Sequence, residues 1–548
     1  MLKNIASLLL LVLSGAVSAQ VQLNQQWVAT YGGTANNIDY GRALQIDAYG
    51  NAFIAGTVTN TGTGKDIAVV KYNSAGLLQW AALYDDTLHL DDWAYALVMD
   101  ADGNLYATGF ISTMAEGKNF ITVKIDSSGS ILWAAVYNGS ANLDDAANDI
   151  TLDLWGNIIV TGISKGTGTG DDYATVKYNS SGIPLWISRY DGPASGVDDA
   201  RTIAADNIGN VYVSGGSTGL GTDYDFATVK YDSAGNELWA RRYDGPLGSY
   251  DLIYYQGAIA VDSLFNVYIT GYSKGLDSTL DYATVKYDSA GTELWVSRYF
   301  SEAGGTDYAD AITLDDSLNV YVTGGSYRTP NNYDFATVKY NSQGAQQWVS
   351  YYNGTANDWD EAYDIVTDDS LNVYIVGRSP SSTTSADFVT IKYNLQGTQE
   401  AGARYFVYGY DWPFSIRLSP DYYCIYVGGS LGTTISDLGV IKYCQTPIGV
   451  EENNSVTGNV FLYPNPASFL LYFSFPEAGN YLLTIKNILG SEILKSQILN
   501  PESEIDISDF PAGIYFVTIT DEKKNVAMNP PATAKKPMRW WAGKFVKM

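Results

Sequence analysis

The chain has 548 residues, which is more than one ordinary domain needs and enough for a repeat array with an appended domain. Its 59 acidic residues outnumber its 32 basic residues, and the formal charge of −27 argues against binding to nucleic-acid phosphates or anionic lipid. One histidine and two cysteines exclude the usual zinc sites, while 54 glycines, 44 tyrosines and 17% charged residues favour a β-rich extracellular protein.

The first residues have the pattern of a secretory signal peptide. Lys3 precedes a short apolar run, and small residues end at Ala19 before Gln20. We predict cleavage between Ala19 and Gln20, which removes residues 1–19 and places the mature protein in an oxidising compartment. The apolar run is too short to span a bilayer, and we expect no transmembrane segment elsewhere.

Residues 20–445 consist of one unit repeated eight times. A tetrad of Thr or Val, an apolar residue, Lys and Tyr (Ile in one copy) recurs every 53 residues, with one step of 56 and one of 50. Its lysines are Lys71, Lys124, Lys177, Lys230, Lys286, Lys339, Lys392 and Lys442. Each period holds four segments rich in β-branched and aromatic residues, joined by Asp/Asn/Gly turns, which predicts a four-stranded meander. The fold class is therefore all-β, and eight meanders in succession predict an eight-bladed β-propeller.

The phase of the repeat predicts how the ring closes. A Trp-x-x-x-Tyr strand ends each of the first seven units, with Ala401 in place of Trp in the seventh, and the eighth unit lacks this strand. An unassigned copy at Gln26–Tyr31 would supply it and leave no open sheet edge. The alternative is a seven-bladed ring in which one unit is poorly integrated.

The repeats also resemble a known family. The run Tyr-x-Gly, Asp-x-Ala-x-x-Ile-x-x-Asp, Gly-Asn-Val-Tyr-Val-Thr-Gly is similar to the SBBP β-propeller repeats of bacterial secreted proteins. This resemblance implies a fold and no settled activity.

The last ninety residues differ in character from the repeats. A polar linker, residues 446–459, leads into residues 460–548, whose alternating strands and Pro/Asn/Gly turns predict a small β-sandwich. The motif residues are Tyr463, Pro464, Asn465 and Pro466, then Gly513 and Tyr515, and finally Lys544 and Lys547. They resemble the type A C-terminal sorting domain of the type IX (Por) secretion system, which implies export by that machinery. Residues 526–541, with three prolines, depart from the family pattern.

Two sets of aspartates recur in the units. The first set opens the inner strand at Asp39, Asp92, Asp145, Asp198, Asp307, Asp360 and Asp411, with Tyr254 in the remaining unit. Along the channel these carboxylates would form a ring that suits calcium, and the alternative is local capping of turns. The second set, eight residues later, opens a tight turn. We expect no cofactor, with calcium as the open alternative.

The repeated lysines and the cysteines have structural interpretations. Because the lysine occurs in every unit, we expect it to pair with repeat aspartates. Cys424 and Cys444 fall on neighbouring antiparallel strands of the last unit, where a disulfide or two buried thiols are both possible.

Aromatic residues on the connections break the symmetry of the repeat. They are Trp93, Tyr254, Tyr255, Trp359 and Trp412, which suit sugar or peptide recognition or simple loop packing. The single histidine, His89, is interpreted as a surface residue, and the sequence has no phosphate loop. We assign no catalytic residue.

These observations predict a secreted or surface-displayed, monomeric scaffold that binds an extracellular protein or glycan through one face. The alternative is an extracellular polysaccharide-cleaving enzyme that uses paired loop carboxylates, because carboxylate pairs are abundant.

Overall fold

A computed structural model describes two stretches of the chain. They are residues 21–463, apart from 116, 254–255, 330–331, 382–383, 385, 407–410, 433–434 and 448–460, and residues 470–547, apart from 475–480, 488–491, 499–501, 512 and 522–540. The predicted cleavage site at Ala19 and Gln20 lies outside the described residues. Contacts divide the chain into two compact units, one ending at Pro447 and the other beginning at Ile448.

The first unit is built of antiparallel four-stranded sheets. It begins with β1 (Val21–Tyr31). Sheet 1 contains β2 (Tyr40–Ile46), β3 (Ala52–Asn60), β4 (Gly64–Tyr72) and β5 (Leu78–Tyr84), and sheet 2 contains β6 (Asp92–Met99), β7 (Leu105–Thr113), β8 (Gly117–Ile125) and β9 (Ile131–Tyr137). Sheet 3 contains β10 (Asp145–Leu152), β11 (Ile158–Lys165), β12 (Asp171–Tyr178) and β13 (Pro184–Tyr190), and sheet 4 contains β14 (Asp198–Ala205), β15 (Val211–Thr218), β16 (Tyr224–Tyr231) and β17 (Glu237–Tyr243).

The same pattern continues to Pro447. In sheet 5, β18 (Asp251–Leu252) and β19 (Ile259–Val261) both pair with β20 (Val267–Lys274), followed by β21 (Leu280–Tyr287) and β22 (Glu293–Tyr299). Sheet 6 contains β23 (Asp307–Leu314), β24 (Val320–Thr329), β25 (Asn332–Tyr340) and β26 (Gln346–Tyr352), and sheet 7 contains β27 (Glu361–Thr367), β28 (Val373–Ser379), β29 (Asp387–Tyr393) and β30 (Gln399–Tyr405). Sheet 8 contains β31 (Trp412–Leu418), β32 (Cys424–Leu431) and β33 (Asp437–Pro447). In the described residues every regular element is a strand, and these sheets are consistent with a β-propeller.

The fourth strand of sheet 8 is β1. It pairs antiparallel with β33 along its length, from Val21 opposite Pro447 to Tyr31 opposite Leu438. Sheet 8 also contacts sheet 1 directly, because the N–H of Asp39 donates to the carbonyl of Ser436 at 2.7 Å. The two ends of the repeat region are therefore joined by main-chain hydrogen bonds.

A tryptophan in the outer strand links each sheet to the next, except in sheet 7, where Ala401 takes its place. The Trp133 indole N–H donates to the Ser180 carbonyl at 3.1 Å, and a Cβ on Gly182 would lie 2.8 Å from the Trp133 ring. Gly182 has a φ of 76°, so the turn needs glycine for its backbone conformation as well as for space. Trp27 of β1 makes the same contact with the hairpin of sheet 1, donating to the Ser74 carbonyl at 3.0 Å.

The lysines of the third strand contribute to the same junction. Lys124, Lys230, Lys286 and Lys442 donate to turn carbonyls of the following sheet, at Ser180, Ser289, Ser342 and Ser74. The expected pairing with a repeat aspartate is seen at Lys177, whose Nζ lies 2.8 Å from Asp153. The pairing is not a general rule, because among the described residues no other lysine of this set lies within 4.0 Å of a repeat aspartate, and Lys392 pairs with Glu400 instead.

Cys424 and Cys444 lie directly opposite each other on β32 and β33 and form a disulfide. Both side chains are buried. The bond therefore lies in the sheet that β1 completes.

The second unit contains two sheets. One has the order β34 (Phe461–Tyr463), β35 (Leu470–Ser474), β38 (Glu502–Asp506), and the other has the order β37 (Glu492–Ile498), β36 (Tyr481–Asn487), β39 (Gly513–Asp521), β40 (Trp541–Lys547). Phe473, Leu483 and Val517, from both sheets, share one buried core. Gly513 begins β39, and the Tyr515 hydroxyl donates to the Pro511 carbonyl at 2.7 Å.

Not every predicted sorting residue is described. Tyr463 ends β34, and Lys544 and Lys547 lie in β40, which pairs with β39. Pro464, Asn465 and Pro466 lie outside the described residues, as do most of residues 526–541. Over the part of the chain that is described, no helix has the length and apolar character needed to cross a membrane.

The contact of Trp27 generates a prediction about the junction of sheets 8 and 1. We expect Trp27→Ala to reduce the free energy of unfolding by roughly 2 kcal/mol, because it removes a partly buried ring and leaves a gap beside Gly76. Urea unfolding followed by fluorescence measures this, with Trp133→Ala as the matched change between sheets 2 and 3. A loss at Trp27 that is negligible beside the loss at Trp133 would contradict the interpretation.

Candidate functional site

The aspartates that open the inner strands are buried turn caps. Asp198 accepts the Gly192 N–H at 2.6 Å and the Thr218 N–H at 3.2 Å, and its side chain is inaccessible. In five other units the backbone N–H of the residue six positions earlier donates to the carboxylate in the same way, at Asp39, Asp92, Asp145, Asp307 and Asp360. Asp411 accepts the Gly432 N–H. Burial raises the pKa of Asp92 to about 7 and of Asp307 and Asp360 to about 6.

The remaining unit carries an aspartate too, which corrects the assignment of Tyr254. Asp251 accepts the Gly245 N–H at 2.6 Å and lies opposite Ser273, as Asp198 lies opposite Ser217. Three extra residues follow inside the inner strand and split it into β18 and β19, so spacing counted from the next turn misses Asp251. Tyr254 and Tyr255 fall in this insertion and lie outside the described residues.

A β-bulge in the inner strand gives every unit a variable position, except the fifth, whose inner strand is split into β18 and β19. In sheet 2 the register shifts between Ala94 and Ala96, and Tyr95 is left without a paired residue. The backbone comes so close to the second strand that a Cβ on Gly109 would lie 1.9 Å from the Trp93 carbonyl oxygen. Bulged residues differ from sheet to sheet: Arg42, Tyr95, Asn148, Arg201, Asp310, Tyr363 and Phe414.

Rings at and beside these bulges form three groups of neighbouring rings along sheets 5, 6, 7, 8, 1 and 2, which together we call the aromatic crescent. Its rings are Tyr272, Tyr308, Tyr333, Trp359, Tyr363, Trp412, Phe414, Tyr95, Trp93, Phe110 and Tyr40. At one end, Tyr333 stacks on Trp359 with centroids 4.7 Å apart and an interplanar angle of 22°.

Arginines connect the rings in the middle of the crescent. The Arg378 guanidinium lies 5.3 Å from the Trp359 ring and 4.6 Å from the Trp412 ring. The Arg42 guanidinium lies 4.5 Å from Phe414. Each arginine thus joins rings or sheets that would otherwise be separate.

Trp93 anchors the other end of the crescent. Its ring centroid lies 5.0 Å from that of Tyr40, and Lys65 Nζ lies 4.2 Å above it. Phe110 stacks beside it and carries Lys118 Nζ at 4.3 Å. Cations on aromatic faces therefore occur at several points of a surface on a strongly acidic protein.

Sheets 3 and 4 differ from the crescent because their corresponding residues are polar or small. Asn148 donates to the Ala200 carbonyl at 2.7 Å, and Arg201 pairs with Asp199. Gln256, from the insertion in sheet 5, reaches the Asn148 carbonyl. The inner strands thus present an aromatic sector and a polar sector.

Two buried carboxyl groups lie beneath the crescent. Asp310 is 1% exposed and its Oδ2 has no hydrogen-bond partner, whereas Glu361 accepts the Tyr363 hydroxyl at 2.8 Å and lies 3.4 Å from Arg378. Burial, and then the negative charge of Glu361, holds the pKa of Asp310 well above its usual range. Burial also raises the pKa of Glu361.

The predicted ligand-binding residues separate into two groups. Trp93, Trp359 and Trp412 belong to the crescent, and Tyr254 and Tyr255 are not described. His89 is exposed and its Nδ1 lies 2.6 Å from Asp85. Sequence reasoning missed Arg42, Arg378 and the bulge positions. The bulge positions, including Arg42, lie three residues after the leading aspartate and vary in a repeat that is otherwise regular. This variability could have identified them from the sequence.

Comparison with known proteins identifies the C-terminal unit. Residues 461–529 match the family described as secretion system C-terminal sorting domain. An endo-acting ulvan lyase of Formosa agariphila is 30% identical over 79 residues, which are 14% of this chain and 15% of the lyase. The chain covers no more than 15% of the length of the curated relatives that it matches first.

Solved structures similar to the chain have low identity. The type IX secretion component PorZ of Porphyromonas gingivalis is 12% identical at a TM-score of 0.31, over 92% of this chain and 74% of PorZ. The polysaccharide lyase Uly1 is 11% identical at a TM-score of 0.38, over 78% of this chain and 98% of Uly1. Similarity at this level does not bear on function. The sorting domain is the informative match, and it indicates export by type IX secretion to the cell surface or extracellular space.

The buried carboxyl pair generates a prediction about pH. A carboxyl whose pKa is raised in the folded state holds a proton that the unfolded chain releases, so its contribution favours folding at low pH and is lost as pH rises. We therefore expect Asp310→Asn to raise the midpoint of urea unfolding at pH 8, with a gain that shrinks towards pH 4. Asp315→Asn is the control, because Asp315 Oδ2 accepts hydrogen bonds from the Asn319 amide and the Tyr321 hydroxyl, which an amide nitrogen cannot accept. This substitution should therefore lower stability at both pH values. A uniform effect of Asp310→Asn across this range would contradict the prediction.

Proposed function

We propose that the protein is a secreted or surface-displayed, non-enzymatic β-propeller scaffold that binds a glycan through the aromatic crescent. In this proposal the repeats are of the SBBP type, the eight sheets are eight blades, and β1 closes the ring as the outer strand of the last blade. The C-terminal unit serves for export, and the repeat region carries the binding function.

The pairing of β1 with β33 supports the closed ring. A first strand that extends the last sheet leaves that sheet with four strands, like every other sheet of the first unit except sheet 5, which has five. Trp27 then occupies the place that Trp133 has in sheet 2, with the same hydrogen bond to the following hairpin. Closure of this kind removes a free sheet edge that could pair with another chain, which favours a monomer.

The observation that carries the binding proposal is the convergence of variable residues into one aromatic surface. In a repeat that keeps its turns, glycines and tryptophans, the positions beside the bulge differ in each unit. Structural positions need the same residue in each copy, so variation confined to one face indicates a role outside the common frame.

The chemistry of the crescent favours a glycan over a protein. Flat rings such as Trp359 and Trp412 suit the apolar faces of sugar rings, and Arg378 between them can donate to hydroxyl or carboxylate oxygens. Trp359 remains 39% exposed, so its ring is open to a ligand. Lys65 and Lys118 also lie on rings of the crescent, and lysine is depleted in protein docking surfaces.

Burial of Asp310 argues for binding without cleavage. A general acid must reach the glycosidic oxygen within hydrogen-bond distance, and glycosidases place two carboxyl groups on either side of the bond. Asp310 is 1% exposed and Glu361 is 8% exposed, so both lie below the surface that a sugar chain would contact. The pair therefore fits a structural or tuning role better than catalysis.

We expect Trp359→Ala and Trp412→Ala each to weaken glycan binding about tenfold, or ~1.4 kcal/mol, because each removes one stacking face. Glycan-array screening finds the ligand, and calorimetry with the purified mature protein measures the variants. Trp155→Ala is the matched control, since Trp155 is 61% exposed on a hairpin turn of sheet 3 away from the crescent.

Two results would contradict the binding proposal. Equal loss in all three variants would place the ligand elsewhere, and absence of binding to any glycan, with capture of a defined protein through the same tryptophans, would favour a protein ligand. Release of new chain ends from a bound polysaccharide, abolished by Glu361→Gln, would establish the enzyme alternative.

Export depends on the C-terminal unit in this account. We expect a chain ending at Pro447 to accumulate in the periplasm of a host with a type IX system, while the full chain reaches the surface or the medium. Immunoblots of cell fractions measure the distribution. Equal export of both chains would show that residues 448–548 are dispensable for secretion.

A further inference from the structure

The connection between sheets 1 and 2 differs in charge from the corresponding connections elsewhere. In sheets 3, 4, 5 and 7, an arginine in the fourth strand neutralises the aspartate of the third strand. Arg189 lies 2.8 Å from Asp172, and Arg242 lies 2.7 Å from Asp225. The other two pairs are Arg298 with Asp281 and Arg404 with Asp387.

Sheet 2 shows what happens where this arginine is absent. Val136 occupies its place, opposite Ile121 as Arg189 is opposite Ala174. Two positions that are aspartates around Arg189, Asp172 and Asp191, are here the neutral amides Asn119 and Asn138. Loss of the positive charge is thus matched by loss of two negative charges.

Sheet 1 breaks this correspondence. Leu83 occupies the arginine position, opposite Ala68, yet Asp66 and Asp85 remain, and Asp86 stands where most other units have glycine. Carboxylate oxygens of Asp85, Asp86 and Asp92 all lie within 4.8 Å of one another. Three carboxyl groups therefore meet here without an arginine, whereas the junctions after sheets 3 and 4 hold three with an arginine and the junction after sheet 2 holds one with two amides. The junctions after sheets 6 and 8 also lack the arginine, with Tyr351 and Thr30 in its place, but hold only two of these aspartates.

The same carboxyl groups have oxygens without donors. Asp66 Oδ1, Asp85 Oδ1 and Asp92 Oδ1 are each buried and lack a hydrogen-bond partner among the described residues. The Asp92 side chain is inaccessible and that of Asp66 is 3% exposed. An unpartnered oxygen also occurs at Asp172, so the distinguishing feature is that its guanidinium has no counterpart beside Asp66.

Neighbouring side chains do not supply that charge. His89 Nδ1 bonds Asp85 Oδ2 at 2.6 Å from the exposed side, and Lys65 lies 4.0 Å from Asp91, outside the cluster. Several buried carboxylates without a compensating cation are unfavourable, so we expect this cluster to bind a cation from solution.

We propose that Asp85, Asp86 and Asp92, with Asp66 beside them, form a calcium site that replaces the arginine of the related junctions. Oxygen donors alone suit a hard cation, and calcium accepts irregular sets of carboxylate and carbonyl ligands that magnesium, with its strict octahedral geometry, does not. The ion would fasten β5 to β6, as Arg189 fastens its own sheet.

Calcium binding to the full mature protein tests the proposal. After removal of metals with EDTA, isothermal titration with calcium chloride should show one site, and the melting temperature should rise with calcium more than with magnesium. Asp85→Asn should lose both effects. Asp191→Asn is the matched control, because Asp191 has the same place in the junction that contains Arg189, and it should keep both.

A gain of charge gives an independent arm. Leu83→Arg should supply the missing guanidinium, keep the melting temperature in EDTA at or above that of the parent protein, and abolish the response to calcium. If Leu83→Arg does not fold, Asp85→Asn decides alone. Failure of the parent protein to bind calcium, or an unchanged calcium response in Asp85→Asn, overturns the proposal, as does loss of the response in Asp191→Asn.

Discussion

One contact between neighbouring sheets supports the rest of the first unit: an indole ring packed against a hairpin glycine. The ring of Trp133 covers Gly182, and its N–H bonds the Ser180 carbonyl of the same hairpin. Only glycine satisfies both the positive φ and the close approach of the ring. The same indole bond occurs in seven of the eight sheets, and it holds each outer strand against the hairpin of the following sheet.

The seventh unit shows how the structure accommodates loss of that ring. Ala401 stands in the tryptophan position, and Leu23 from β1 packs in the same buried cluster. The long first strand therefore completes sheet 8 and also fills space beside sheet 7. This double role explains why β1, at 11 residues, extends well beyond the Trp27 segment.

Because the outer strands hold the sheets together in a regular way, the residues of the inner strands can differ from unit to unit. The bulge removes one residue per unit from the hydrogen-bonded ladder, and a glycine on the second strand makes room for it. Side chains at the bulge then face their counterparts from other sheets and not the core of their own. A surface assembled in this way can be aromatic in one sector and polar in another without disturbing the frame.

Prediction from the sequence succeeded where a feature is local and repeated. Strand periodicity, hairpin turns and the antiparallel position of Cys424 and Cys444 follow from spacing, because each depends on neighbours within one unit. Prediction from the sequence failed where the position or the contacts of a residue depend on an insertion or on a partner far away in the chain. Three extra residues hid Asp251, and the lysines bond carbonyls of the next sheet about fifty residues away, as Lys124 does with Ser180.

The chain's own residues thus specify an all-β repeat protein with an export domain, since composition, period and motif are properties of short segments. The tertiary structure determines which residues of different units come into contact, and no short segment of the sequence contains this information. Trp359, Arg378 and Trp412 become one surface only because adjacent sheets place their inner strands next to each other. Likewise, the importance of Leu83 is visible only in the structure, where it takes the position that Arg189 has in sheet 3. The charge balance of a junction depends on residues from three strands, which the sequence does not bring together.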